Sequence, residues 1–192
     1  MSAEIIEPKE TIPAEEFCTD ILERMSADLS MIIDREFSIE EIKVSRANKR
    51  AEGKDNIHIS FRLGFRTPQG RKQGCVLIPL PDAVALSAYL MMMPDEEVKE
   101  CRSMTTLDSS TKDAMLEVGN FIGGASDAVV RGLFPAGFSV RFEGCQGVRE
   151  DVRPALEYEE GDELVIVESK SKIHDLAAFD LMMVVPLIGI FE

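Results

Sequence analysis

Asp113, Glu117, Asn120 and Gly124 step along the chain by four, three and four residues. At 100° per residue, the spacing of a helix, all four project within an arc of about 60° and make one polar ridge. The types on that ridge are suited to engaging another molecule. A carboxylate offers charge-assisted contacts to a cationic partner, and a carboxamide both donates and accepts hydrogen bonds without carrying charge. The other chemistry-bearing residues are scattered. Cys18, Cys75, Cys101 and Cys145 lie far apart with no CxxC pair, and His58 and His174 are isolated. Neither a zinc site nor a disulfide framework is expected. Each histidine lies in or beside a strand-like segment, where a surface or hydrogen-bonded imidazole is the expectation, and neither is assigned a role.

The ridge belongs to the segment SSTKDAMLEVGNFIGGASDAVV, read as a helix from near Ser109 to about Arg131. Its core face is expected to be Ala114, Val118, Phe121, Ile122, Ala125 and Val129, at spacings of three and four. Gly119, Gly123 and Gly124 crowd into six residues, although glycine costs a helix interior about 1 kcal/mol relative to alanine. Small residues on or beside an exposed ridge let another surface approach the backbone, so Gly123 and Gly124 are expected to dock a partner. Gly119, nearer the apolar face, suits docking or packing on the chain's own sheet equally.

The elements that must position this helix follow from periodicity. Phe17, Cys18, Ile21, Leu22, Met25, Leu29 and Ile32 recur at helical spacing and predict a first long helix. A polar break follows. Ile57, Ile59, Phe61, Leu63 and Phe65 then alternate with polar residues or glycine, the pattern of a strand with one buried face. The turn TPQGRKQG leads into Cys75 to Pro79, which pairs with it most simply as a hairpin. LPDAVALSAYLMMMP reads as a shorter helix that Asp82 can cap and that stops before Pro94. After the long helix, strands are predicted over residues 138–144, 163–170 and 179–191. The repeated order of elements predicts an α+β fold: a pseudo-duplicated domain over residues 13–192 with one largely antiparallel sheet covered by two long helices and at least one shorter helix. Residues 1–12 read as a flexible acidic tail.

The length of 192 residues suits one domain. With 21 Lys and Arg against 35 Asp and Glu, the formal charge is -14. Such a field disfavours nucleic acid and anionic lipid, both of which are bound chiefly through Lys and Arg. The longest apolar stretch, residues 181–191, is interrupted by Pro186 and is shorter than the roughly 20 residues of a membrane span. The acidic N-terminus does not read as a signal peptide, so a cytoplasmic protein is expected.

The sequence of Asp113, Glu117 and Asn120 resembles the motif of the CheC and CheX chemotaxis phosphatases, relatives of the flagellar switch proteins FliM and FliY. In that family an Asp or Ser is followed after three residues by Glu and after two more by Asn. LEVGNFIGGASDAVV looks like the family's glycine-rich helix, LIPLPDAVALSAYLMMMP like the helix between its halves, and FDLMMVVPLIGIF like its closing strand. One departure is a proline a little over twenty residues beyond the asparagine; here the nearest are Pro135 and Pro154, on either side of that place. Two-site members carry the motif on both long helices. On the first helix, one register sets Ser26 against Asn120 and another sets Ile21 and Arg24 against Glu117 and Asn120. With no asparagine in either, a single active face is expected, as in CheX.

The resemblance implies a phosphatase for the aspartyl phosphate of a CheY-like response regulator. Asn120 would orient the attacking water, Glu117 would anchor the helix through a receiver lysine, and Asp113 would add a polar contact. No cofactor is expected on this chain, and Mg²⁺ is expected in the receiver partner. CheX-like relatives imply a homodimer, to which the long apolar C-terminal strand would contribute if it formed an uncovered edge. The alternatives from other classes are a non-catalytic scaffold of the flagellar-switch type on the same fold, and an acidic interaction domain without phosphoryl chemistry.

Overall fold

The computed structural model describes residues 12–50, 55–104, 106–134, 136–157 and 161–187. Residues 1–11 of the expected tail and the last residues of the expected closing strand lie outside these. The elements run α1 (Ala14–Ile33), β1 (Phe37–Ala47), β2 (His58–Thr67), β3 (Gly70–Pro79), α2 (Leu80–Leu90), α3 (Asp95–Cys101), α4 (Ser109–Leu133), β4 (Ser139–Val148), β5 (Leu164–Ile173) and β6 (Phe179–Pro186). All strand pairs are antiparallel, in one six-stranded sheet of order β1-β5-β6-β3-β2-β4. Exchanging β1 with β4, β2 with β5 and β3 with β6 returns the same order read backwards. The expected pseudo-duplication is therefore built into the topology, with its axis between β3 and β6.

The period-two pattern of β2 buries Ile59, Phe61, Leu63 and Phe65 under the helices, and β2 meets β3 through the hairpin pair Thr67 and Gly70. On β5 and β6, Val165, Val167, Leu181, Met183 and Val185 face the helices. Leu164, Ile166, Met182 and Val184 form a smaller cluster on the opposite face with Cys75, Leu77 and Val148. α2 is buried from Asp82 to Tyr89, as its nearly unbroken apolar sequence requires, and it packs against α4.

Three expectations are corrected. The polar break after α1 contains strand β1, whose alternation is interrupted by a bulge between Glu40 and Lys43, with Glu41 at φ 52°. Asp82 does not cap α2 by a side-chain hydrogen bond; it is buried and paired with Arg102 at 2.7 Å. Burial raises the Asp82 carboxyl above its ordinary range, and Arg102 opposes that shift. Finally, β6 is not an edge, because β5 and β3 flank it. The argument for a homodimer from an uncovered C-terminal strand falls away. The true edges, β1 and β4, are both bulged, β4 between Cys145 and Phe142 with Gly144 at φ 107°. Bulges of this kind discourage strand-to-strand association.

Each edge strand is also clamped to its helix. Phe37 N in β1 donates to Ser30 Oγ of α1 at 2.8 Å, and Val140 N in β4 donates to Asp127 Oδ1 of α4 at 2.8 Å. These bonds satisfy strand amides without a further strand.

Candidate functional site

α4 begins where Asp108 Oδ1 accepts from Thr111 N at 2.7 Å, a side-chain N-cap that holds the Asp108 carboxyl below its ordinary range. From there the helix runs 25 residues, about 37 Å, against α1, α2 and β4. Its buried stripe contains Ala114, Met115, Val118, Gly119, Ile122, Gly123, Ala125 and Ser126. Opposite that stripe Asp113, Glu117, Asn120 and Gly124 are all exposed. Asn120 Nδ2 donates to Glu117 Oε2 at 3.3 Å, so the amide and the carboxylate are in contact.

The three glycines serve two different purposes. A Cβ on Gly119 would lie 2.3 Å from the Phe142 ring, and one on Gly123 would lie 2.8 Å from Phe142 N and 2.9 Å from its Cβ. Both residues let α4 settle on β4. Gly123 is thus corrected from a docking residue to an internal packing residue, and packing accounts for Gly119. A Cβ on Gly124 would meet nothing within 4 Å, which leaves this position open to an incoming surface. Phe142, 22 residues beyond Asn120, fills the space beside Gly119 and Gly123. Pro154 lies elsewhere, its carbonyl accepting from Arg50 Nη1 at 2.5 Å, and Pro135 is outside the described residues.

Phe121 is the second correction on this helix. It is 37% exposed instead of part of the core, and Leu116 is 40% exposed. A helical projection centred on the ridge could have shown this, since Phe121 lies closer to the ridge than to the axis of the buried stripe.

The structure also fixes the comparison with α1. All eight buried residues of α1 match buried residues of α4 at a constant offset of 97, from Ala14 and Thr111 through Ile33 and Val130. Ser30 and Asp127, the two clamp residues, correspond at the same offset. Neither sequence register is therefore correct. Glu16, Asp20, Glu23 and Ala27 occupy the places of Asp113, Glu117, Asn120 and Gly124. Where α4 has a neutral amide, α1 has a carboxylate.

Beneath α4, β4 is tied across the sheet by Glu143. Its carboxylate accepts from Arg71 Nε at 2.8 Å, from Arg71 Nη2, and from Gln73 Nε2 at 2.7 Å. A Cβ on Gly64 would collide with the Glu143 carboxylate, which crosses β2 at that glycine on its way to β3. The Arg71 hydrogen bonds hold the Glu143 carboxyl below its ordinary range. His58 is buried, with Nδ1 2.9 Å from Asn56 O, and burial lowers its pKa. It lies outside the ridge. A cavity of about 110 Å³ lined by Glu41, Lys43, Glu168, Lys170, Asp180 and Met182 also lies elsewhere, on the sheet. Among the described residues no three His, Cys, Asp or Glu side chains are grouped to hold a metal ion, and no helix is long and apolar enough to cross a membrane.

No protein-family model and no curated protein matches this sequence. Solved structures do. FliY from Thermotoga maritima aligns with a TM-score of 0.65 at 13% identity, over 95% of this chain and 92% of that one. A chain of the FliG-FliM complex from H. pylori gives 0.62 at 10% identity, over 91% of each chain. The chemotaxis protein CheX from Vibrio vulnificus gives 0.57 at 12% identity, over 90% of this chain and 99% of that one. The chain thus has the fold shared by CheC- and CheX-like chemotaxis proteins and the FliM and FliY switch proteins, the same group that its helix motif resembles.

Proposed function

We propose that this protein is a phosphatase for the aspartyl phosphate of a CheY-like receiver domain, with α4 as its working surface. The observation that carries this reading is the exposed contact pair Glu117 and Asn120 on a helix whose opposite face is fully packed. An acyl phosphate is already reactive, so the enzyme must chiefly position water in line with phosphorus. Water's oxygen forms the new bond to phosphorus, the bond from phosphorus to the aspartyl oxygen breaks, and the carboxylate leaves. The proton lost by water passes to phosphate or solvent.

In this reading the Asn120 amide accepts a hydrogen bond from the attacking water through Oδ1 and brings no negative charge toward the phosphoryl group. Glu117 pairs with a receiver lysine and anchors the helix, with Asp113 one turn away. Gly124 gives the receiver backbone close access. The divalent cation belongs to the receiver, as does most of the charge stabilising the transferred group. The reaction takes place in the cytoplasm, where receiver domains are phosphorylated.

A switch-type scaffold is the second reading, favoured by the TM-scores to FliY and to the FliG-FliM complex. One experiment separates the two. The protein is mixed with a panel of phosphorylated receiver domains, and phosphate release is followed for wild type and Asn120→Ala. Phosphatase function requires release faster than each receiver's own decay for at least one receiver, with a loss of about 100-fold or more in Asn120→Ala. Release equal to spontaneous decay throughout supports the scaffold.

A further inference from the structure

Leu116 and Phe121 bracket the Glu117 and Asn120 pair. On a helix they project about 70° to either side of the ridge and lie about 7.5 Å apart along the axis. Their exposures of 40% and 37% make them the large apolar side chains that α4 leaves in solvent beside its polar pair. Leaving a leucine and a phenylalanine uncovered on both flanks of a charged ridge forgoes burial that each would gain in a contact.

The internal symmetry of the fold supplies a control. At the offset that matches the buried faces of α1 and α4, Leu116 corresponds to Thr19 and Phe121 to Arg24. Arg24 is turned to a local partner, its Nε donating to Asp28 at 2.9 Å. The helix without an asparagine thus has polar flanks, and the helix with one has apolar flanks. The apolar pair accompanies the ridge chemistry and is not required for packing either helix onto the sheet.

We propose that Leu116 and Phe121 are the apolar contacts that seat a phosphorylated receiver domain on α4, one on each side of Glu117 and Asn120. This rests on the phosphatase reading. The matching partner surface presents apolar side chains around a lysine ammonium and an acyl phosphate: Glu117 pairs with the ammonium with Asp113 one turn away, Asn120 faces the phosphoryl group, and the flanks exclude water from both. Seating by two side flanks fixes the rotation of the receiver about the helix, which the ridge alone, a single line of contacts, does not. The pair therefore determines which receivers bind productively, while the chemical step stays with Asn120.

The test uses the full chain and the receiver from the panel that wild type dephosphorylates fastest. Steady-state phosphate release is measured for wild type, Leu116→Ser with Phe121→Ser, and the conservative pair Leu116→Met with Phe121→Leu. Binding to the same receiver loaded with beryllofluoride, an acyl-phosphate mimic, is measured alongside. The serine variant is expected to raise KM and weaken binding about 10-fold or more with kcat within twofold, and the loss should persist at high salt. The conservative variant should stay within about threefold of wild type. Unchanged KM and binding in the serine variant, with Asn120→Ala still inactive, overturns this inference and leaves the phosphatase reading intact. If wild type neither binds nor dephosphorylates any receiver, both fail. Thermal unfolding of the serine variant at the wild-type temperature shows that the comparison is between folded proteins.

Discussion

Asn120 Nδ2 and Glu117 Oε2 are joined by a 3.3 Å hydrogen bond along the solvent side of α4. One N–H of the amide is directed to the carboxylate, which fixes the orientation in which Oδ1 faces solvent as an acceptor. Glu117 thus orients its neighbour, and substitutions at the two positions should not be additive.

Glu117→Gln keeps the length of the side chain and an oxygen that can accept from Asn120, but it loses the charge. In the phosphatase assay KM should rise about 5- to 100-fold, and the dependence on ionic strength should flatten. Activity should recover at high receiver concentration. A fall in kcat with unchanged KM would place Glu117 in the chemical step instead.

The glycines should respond in opposite directions. Gly119→Ala and Gly123→Ala place a methyl group against Phe142, and each should cost about 1–3 kcal/mol in urea unfolding. Gly124→Ala meets open space on an exposed helix and should stabilise by about 0.5–1 kcal/mol. If Gly124 also admits the receiver backbone, this more stable variant should bind the receiver more weakly than wild type.

On α1, Glu23 takes the place of Asn120. Glu23→Ala removes an exposed carboxylate from a face without an amide, so phosphatase activity should remain within about twofold and stability within about 0.5 kcal/mol. A large loss of turnover in the folded variant would mean that both long helices work.

The pH dependence of stability should carry the signature of Glu143. Its folded pKa lies below the ordinary range of a glutamate because of the Arg71 hydrogen bonds. An acid with a depressed folded pKa contributes stability that is fully present above its unfolded pKa and lost as pH falls through the folded one. Urea midpoints for wild type and Glu143→Gln should therefore differ most above about pH 5 and converge toward acid. A constant gap from pH 7 to pH 3 would rule out the carboxylate clamp.

The parts of this molecule that were legible in the sequence are those with uninterrupted periodicity. β2 alternates without a break, although His58, Ser60 and Gly64 are buried too, so it has two buried faces where one was expected, and the four ridge residues of α4 are all on its exposed side. β1 was hidden because the bulge at Glu41 adds a residue in mid-strand and shifts Ile42 and Val44 out of phase with Phe37 and Ile39. Gly123 was misread because a bare glycine looks alike whether it faces a partner or Phe142, a residue 19 positions further on. The α1 register failed for a related reason: Thr111, Gly119 and Ser126 belong to the buried face of α4 but carry no apolar signal.

The duplicated topology makes the molecule a frame with two equivalent sockets, of which one carries the exposed carboxylate and carboxamide pair. Both long helices rest on the sheet through the same set of buried positions and are fastened to their edge strands at corresponding residues. The number of working faces is consequently written in a handful of surface side chains, and the backbone is indifferent to it. In the phosphatase reading, valency then changes through surface positions such as Asp20 and Glu23, with little cost to folding. A bivalent form would need Asp20→Glu and Glu23→Asn together with apolar residues in place of Thr19 and Arg24, a change of partner stoichiometry without any new architecture.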